Sequence, residues 1–362
     1  MKALVLGVGR MGTAISWAMK QLGYDIIAVD SNKHAESLLK TYIRGFDFRR
    51  VVYFENELEY LFQGNPNIVI SSLPYHQTEL AAKFCINNNI RYCDLGGRVD
   101  VSKNINDYAK ENAKKPVFTD LGLAPGLINI LAEEGYRALS KFGDVDSVQM
   151  MVGGLPNYLE SNNNPLRYGV TWSVDGLINE YKDDCVILEN GEIKVVKGMD
   201  GLEAVSSESL GKLEAFYTSG GASHTIESMR KKKVKNCSYK TLRYVGHRDL
   251  IKFLIRDCNL DHKSLTKIFD SCGKVIKDEV LVLAAVVQGE LVWKKEILIK
   301  SEQGFSAMQR ATAFSISSAA SLMAQGKLDE TGKKALTYED VPFKEFSSNL
   351  KSLGIDLDVL TT

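Results

Sequence analysis

Lys2-Ala3-Leu4-Val5-Leu6-Gly7-Val8-Gly9-Arg10-Met11-Gly12 opens the chain with an apolar strand that runs straight into a glycine turn. From Thr13 to Leu22 apolar residues recur at helical spacing, Gly23 ends the helix, and Asp25 to Val29 forms a second strand closing at Asp30. Strand, glycine turn, helix, strand and acid, in that order, give Gly-x-Gly-x-x-Gly the context of a dinucleotide fingerprint. Gly7 lets the chain turn tightly, Gly9 lets backbone approach a pyrophosphate, and Gly12 lets the helix pack close to the strand. The helix start at Arg10 and Met11 offers free N–H groups to phosphates, with Arg10 read as a lid.

Working outward, Val51 to Phe54 reads as a third strand and Asn67 to Pro74 as a fourth, almost wholly apolar as a central parallel strand is. Its end, Ser71-Ser72-Leu73-Pro74, faces the edge where open α/β sheets bind ligands, so Ser72, Leu73 and Pro74 are expected at the cofactor. Helix Gln77 to Asn87 leads to a fifth strand, Arg91 to Asp94, and a sixth runs from Val117 to Asp120. Six strands alternating with helices predict a doubly wound parallel sheet, the Rossmann class of α/β fold. Asp30 is placed to accept from the adenosine ribose hydroxyls and to repel a 2′-phosphate, so NAD is the expected cofactor, with Ser31 beside it. Ser31-Asn32-Lys33 keeps NADP open.

After Gly126 the texture changes. Leu127 to Leu139 reads as a helix, and mixed strands with Gly-rich turns then alternate with few long helices until about residue 303. That predicts an α+β domain on a partly antiparallel sheet. Helical spacing returns from Ala307 to Gln325 and from Phe343 to Leu353.

The bulk numbers agree with a globular protein of about two domains: 362 residues, 44% hydrophobic, with Lys+Arg 45 against Asp+Glu 45. A net charge of zero argues against a nucleic-acid or anionic-membrane surface. The longest apolar run, Val280 to Val287, is far short of a membrane span, and Met1-Lys2-Ala3-Leu4 shows no signal peptide, so a cytoplasmic protein is expected. The six cysteines show no Cys-x-x-Cys pair, and no metal site has ligand spacing. Arg230-Lys-Lys-Lys-Val-Lys235 reads as a solvated loop.

Several blocks are more specific. Cys93-Asp94-Leu95-Gly96-Gly97, Gly122-Leu123-Ala124-Pro125-Gly126-Leu127-Ile128-Asn129, Thr171-Trp172-Ser173, Leu213 to Gly221 and Lys240-Thr241-Leu242-Arg243-Tyr244-Val245-Gly246-His247 resemble the saccharopine dehydrogenase family. Within it they look most like the shorter L-lysine 6-dehydrogenase branch. The resemblance implies a dinucleotide domain of residues 1–125 with 306–362, and a substrate and dimerisation domain of residues 126–305 in a homodimer. It implies NAD(P)-dependent oxidation at a carbon–nitrogen bond of an amino acid, most simply deamination of the lysine side chain to an aldehyde that cyclises. Saccharopine-forming reductases tend to carry Leu-Asp-Pro-Gly where this chain has Leu-Ala-Pro-Gly, which weighs toward lysine. The alternatives are an NADPH-dependent reductase making a secondary amine such as saccharopine or carboxynorspermidine, and a non-catalytic NAD-binding protein.

That chemistry needs a base for the ammonium proton and anchors for the substrate. His224, after a Gly-rich turn, is the candidate to touch the reacting amine; His247 is read as structural or substrate-positioning. Arg243 leads as the carboxylate anchor, with Arg167 behind it, because a planar guanidinium matches a carboxylate. Asp94 and Asp120 end strands at the ligand edge and are candidates for catalysis or for an ammonium contact. Tyr168, Trp172 or Tyr244 would wall the pocket.

Overall fold

The computed structural model describes residues 1–51, 57–156, 164–170, 172–272 and 279–358. It divides into two units, one of Met1–Leu127 with Gln309–Leu357 and one around Ile128–Met308.

The first unit holds β1 (Lys2–Leu6), β2 (Asp25–Asp30), β3 (Phe46–Arg50), β4 (Ile68–Ser71), β5 (Tyr92–Asp94) and β6 (Val117–Phe118). All six run parallel in the order β3-β2-β1-β4-β5-β6. The order reverses between β1 and β4, which marks the ligand edge of a doubly wound sheet. The connections are α1 (Arg10–Gln21), α2 (His34–Lys40), α3 (Leu58–Leu61), α4 (Tyr75–Asn87) and α5 (Val99–Asn112). β1 and β4 are central, and Leu4, Leu6 and Val69 are wholly buried among Ala81, Ala82 and Ile105 of the helices. Each such aliphatic side chain contributes about 1.5–3 kcal/mol when fully buried.

The third strand differs from the expectation. It is Phe46–Arg50, one step earlier than Val51 to Phe54, of which residues 52–54 lie outside the described residues. Its Phe46-Asp-Phe-Arg-Arg50 pattern is that of an edge strand, half-exposed and charged, so it lacks the apolar run of its neighbours.

The second unit begins with α6 (Leu127–Leu139) and β7 (Val145–Pro156). There follow α7 (Val174–Lys182), β8 (Asp184–Glu189), β9 (Glu192–Lys197), β10 (Glu203–Ser207), β11 (Gly211–Tyr217), α8 (Thr225–Lys231) and β12 (Asn236–Tyr244). Then come α9 (His247–Lys252), α10 (His262–Cys272), β13 (Glu279–Gly289) and β14 (Val292–Lys300). The sheet order is β10-β11-β12-β7-β13-β14, with β8 pairing β12 and β9. Only β12 and β7 are parallel, so the sheet is mixed, as an α+β domain requires. Four helices, α7 to α10, of 6 to 11 residues, alternate with the strands of a stretch expected to hold few long ones. One core packs Leu177, Ile178 and Tyr181 of α7 against Phe216 and against Leu265 and Phe269 of α10. A second packs Leu155, Leu213, Leu242, Tyr244 and Val282. The chain closes with α11 (Ala307–Ala324) and α12 (Phe343–Ser352). Among the described residues no helix is long and apolar enough to cross a membrane.

The basic run is held by acids: Arg230 pairs with Glu227, Lys232 with Glu133 and Lys235 with Asp146.

Candidate functional site

In the first unit the glycine turn has the form its chemistry demands. Gly7 sits at φ +81, and a Cβ there would stand 2.9 Å from the Ser72 carbonyl oxygen. A Cβ on Gly12 would fall 1.8 Å from the Gly7 carbonyl oxygen, so the start of α1 lies directly on the turn. Around the Cβ position of Gly9, by contrast, nothing stands within 4 Å. Asp30 Oδ2 accepts from the Val8 N–H at 2.7 Å and Oδ1 from the Asn32 N–H at 2.8 Å, which ties the acid to the turn. Arg10 is exposed with its carbonyl taken by the Gln309 amide, Met11 is half-buried, and Ser31 is exposed. Ser72 and Leu73 are half-buried and Pro74 starts α4. An exposed helix start with clear space at Gly9 and an acid at the end of β2 fits a dinucleotide.

Asp94 and Asp120 meet at the ends of β5 and β6. Asp94 Oδ1 accepts from the backbone N–H of Gly96 at 2.9 Å and of Asp120 at 3.1 Å, while its buried Oδ2 has no hydrogen-bond partner among the described residues. Asp120 holds φ +63, its Oδ1 accepts from Ser102 Oγ at 2.7 Å, and its carbonyl accepts from Tyr338. Burial above all, then the Asp120 charge, raises the Asp94 carboxyl to about 7, against the pull of the two N–H donors. Asp94 thus fastens two strand-end loops. The folded carboxyl holds its proton more tightly than the unfolded one, so this group's contribution is full below about 4 and lost as pH rises through about 7. Asp94→Asn keeps an acceptor for both N–H groups and is expected to remove that loss, at most about 1.4 kcal/mol per pH unit. Urea melts at pH 5 and pH 8 check it: a variant with the wild-type slope refutes the assignment. Beside it, burial pushes the Cys93 thiol well up, and it is a buried apolar group.

The second unit gathers other candidates. Arg243 of β12 is 3% exposed. Its Nε donates to the Tyr181 hydroxyl at 3.0 Å, and its Nη1 to Thr241 Oγ1 at 2.8 Å and to the Leu242 carbonyl at 2.9 Å. The guanidinium lies 4.5 Å from the Tyr168 ring centroid, a cation–π contact. Among the described residues it forms no ion pair, and its Nη2 donates to no protein group.

His247 is wholly buried beside it. Its Nδ1 lies 2.6 Å from the Leu166 carbonyl, which only accepts, so Nδ1 carries the proton. Nε2 therefore accepts from the Tyr181 hydroxyl at 3.0 Å, and that hydroxyl oxygen accepts from Arg243. Burial first, then the Arg243 charge, lowers His247 to about 3, so it stays neutral and orients Tyr181. Every donor along Arg243, Tyr181 and His247 points one way, which makes the row rigid.

Other candidates fall elsewhere. Tyr244 does not wall this cluster: adjacent residues of a strand face opposite sides, and Tyr244 lies in the second core with its hydroxyl on the Pro156 carbonyl. Trp172 packs against the first core and over Gly176. Arg167 is exposed and donates to the Val245 carbonyl. His224 is half-buried at the start of α8, its Nδ1 3.1 Å from Ser223 Oγ. The Gly-rich turn before it is held by Asn129, whose amide donates to the Gly221 and Ala222 carbonyls and to Thr225 Oγ1. Glu214 accepts from the N–H groups of Gly246 and Arg248 and starts α9. Asp94 and Asp120 belong to the first unit, and His224 and Arg243 to the second. Tyr181 escaped the sequence reading; the apolar Leu177-to-Tyr181 spacing was the one available signal of a buried helix face there.

A Rossmann-type parallel-sheet unit carried with a mixed-sheet unit, which buries an arginine that forms no ion pair among the described residues, has the two-unit architecture of a dehydrogenase. The chain belongs to the saccharopine dehydrogenase family: residues 122–355 match the saccharopine dehydrogenase C-terminal domain. It is 30% identical over 209 residues to the mitochondrial alpha-aminoadipic semialdehyde synthase of Bos taurus, covering 57% of this chain and 22% of the relative. It is 24% identical over 192 residues to saccharopine dehydrogenase [NADP(+), L-glutamate-forming] of Schizosaccharomyces pombe, covering 52% of this chain and 42% of the relative. The chain therefore spans less than half the length of these curated relatives. In fold it matches apo saccharopine dehydrogenase (L-Glu forming) from Saccharomyces cerevisiae with a TM-score of 0.75 at 13% identity, over 98% of this chain and 97% of the other.

Proposed function

We propose that the chain is an NAD-dependent oxidoreductase that deaminates the side chain of L-lysine, with the first unit binding the dinucleotide and the second the amino acid. The observation that carries this reading is Arg243: a buried guanidinium that, among the described residues, has no ionic partner and no acceptor for Nη2 is costly unless an anion completes it. A substrate carboxylate is that anion, held by the planar fork and backed by Tyr168. Thr241, Leu242 and Tyr181 fix the guanidinium in place, and neutral His247 fixes Tyr181, so the anchor costs little reorganisation on binding. Gly7, Gly9, Gly12 and the start of α1 would hold the pyrophosphate, and Asp30 the adenosine ribose. NAD, when bound, supplies the hydride acceptor for the carbon that bears the amine. Water provides the aldehyde oxygen and the amine leaves as ammonia.

Family membership and the relatives' names support an amino-acid oxidoreductase with a nicotinamide cofactor. Asp30 favours NAD, and Ala124 in place of the aspartate that saccharopine-forming reductases tend to carry favours lysine. A second reading is an NADPH-dependent reductase forming a secondary amine. Arg50 favours it, since its Nε donates to the Ser31 carbonyl at 3.3 Å, at the edge where a 2′-phosphate would lie.

The test is NADH formation from NAD by the purified protein with a panel of amino acids at mildly alkaline pH. Turnover with lysine alone is the expected result. Silence there, with NADPH consumed by an amino acid plus a keto acid or aldehyde, establishes the second reading instead.

A further inference from the structure

The start of α1 is tied to a residue 299 positions away. Gln309 of α11, half-buried, donates from its amide Nε2 to the Arg10 carbonyl at 2.9 Å, one residue past Gly9. A carbonyl only accepts, which fixes the way the amide points. Inside an α-helix that carbonyl already receives the N–H four residues on, so α1 forms without the added donor. The packing of α11 on α1 is secured elsewhere as well. The Trp17 and Phe314 rings stack at 5.3 Å between centroids, and the Tyr24 hydroxyl donates to the Ser321 carbonyl at 3.1 Å. These contacts climb both helices in the same direction, so α1 and α11 run parallel and Gln309 lies at the ligand edge of the sheet. One turn beyond it, Thr312 Cγ2 is 3.6 Å from where a Cβ of Gly122 would stand, in the loop after β6. The first N–H groups of α11 are themselves taken, that of Ala307 by Ser301 Oγ at 3.3 Å and that of Met308 by Glu279 Oε1 at 3.0 Å. What α11 brings to the glycine turn is therefore the Gln309 side chain.

A peptide unit is planar and trans, so its C=O and N–H point in opposite directions. A donor on the Arg10 carbonyl fixes the Met11 N–H at the other side of the same peptide and polarises it. Met11 is the second residue of α1, where an N–H has no partner within the helix, and among the described residues it donates to no protein group. A helix N–H points back toward the helix start, here past Gly9, whose Cβ position has nothing within 4 Å. We propose that Gln309 is a positioning residue of the dinucleotide site: it holds the Arg10–Met11 peptide so that the Met11 N–H meets the pyrophosphate of the cofactor. This rests on the first unit binding a dinucleotide. Gln309 acts through the peptide, and the Met11 N–H makes the charge-assisted bond. The fingerprint of residues 7 to 30 is thus completed by a side chain that the chain supplies only after the whole second unit.

The measurement is calorimetric titration of the full chain with NAD, NADP and ADP, beside thermal melts without ligand. Wild type is expected to bind ADP and at least one dinucleotide. Gln309→Met keeps the length of the side chain and removes the donor. It is expected to melt with wild type and to bind ADP and the dinucleotide about fivefold more weakly. The factor is expected to be the same for both, because both carry the pyrophosphate. Gln309→Glu sets an acceptor against the Arg10 carbonyl and is expected to weaken both ligands further. A Met variant that binds both within about twofold of wild type overturns the Gln309 assignment alone. A loss confined to the dinucleotide also overturns it, since the side chain would then act on the nicotinamide half. So does a thermal midpoint well below wild type, the mark of a packing residue. If wild type binds none of the three ligands, the nucleotide reading itself fails and the role of Gln309 falls with it.

Discussion

Arg243→Gln is expected to raise KM for L-lysine by a factor of about 30 or more while leaving the protein at least as stable as wild type. The first half follows from the cost of removing one partner of a buried charged contact, about 2–5 kcal/mol, where each 1.4 kcal/mol is about tenfold. The second half is the sharper claim. A guanidinium that is 3% exposed and meets only neutral acceptors has surrendered its hydration without an ionic return. Glutamine can still reach Thr241 or Tyr181 and brings no charge into the site. Burial opposes the arginine's charge, and the Tyr181, Tyr168 and Glu180 surroundings outweigh it, so the group stays cationic rather than escaping the penalty by losing its proton. A structural arginine would behave in the opposite way, its loss lowering the thermal midpoint and leaving KM alone. Steady-state kinetics and thermal melts on one preparation separate the two. A variant that melts well below wild type with an unchanged KM would remove the carboxylate anchor from the site.

The contrast between Arg243 and Tyr181 shows what the sequence made legible. Arg243 sits in a recognisable block, and the chemistry of a carboxylate selects a guanidinium, so its role was readable from residue type. Tyr181 lies 62 positions earlier on α7, in a stretch read as having few long helices. The packing of Leu177, Ile178 and Tyr181 with Phe216 brings its hydroxyl to Arg243 of β12. Nothing local records that encounter. Tyr244 fails for the opposite reason: it is adjacent to Arg243 in the chain, and in a strand adjacency guarantees separation, because the period of two sends neighbours to opposite faces. The block was legible as a block, and its division between two cores was not until the strand was seen to have both faces buried. In the first unit, β4, whose four residues are all buried, and β1, buried from Ala3 to Leu6, were legible because their apolar pattern is nearly unmixed. The edge strand β3, with Asp47, Arg49 and Arg50 in five residues, was not.

Two glycines of the turn, three residues apart, are expected to part company when each is changed to alanine. Gly9 has clear space within 4 Å of where a Cβ would stand, and its φ of −69 suits any residue. Gly9→Ala is therefore expected to fold with a thermal midpoint close to wild type, lowered only by alanine's weaker capping at the start of α1, below about 1 kcal/mol. The added methyl occupies the space a pyrophosphate needs, and loss of the charge-assisted bonds from the helix start, about 2–3 kcal/mol, means a fall of about a hundredfold in NAD affinity. Gly12→Ala places its Cβ 1.8 Å from one backbone oxygen and 2.8 Å from the Gly7 carbonyl carbon, contacts no side-chain rotation can relieve. The start of α1 must lift off β1, whose Val5 Cγ1 lies 3.6 Å from the same point. Overpacking of this kind costs about 1–3 kcal/mol and more where backbone must move. Gly12→Ala is thus expected to lose stability and NAD affinity together, because the Gly7 turn and the Val8 N–H that holds Asp30 shift with the helix. Thermal melts with and without saturating NAD read both quantities, since a ligand that binds only the folded state raises the midpoint. A Gly9→Ala protein that keeps the full NAD-induced shift would show that no phosphate passes over that residue, and the nucleotide would have to be sought away from the first turn of the sheet.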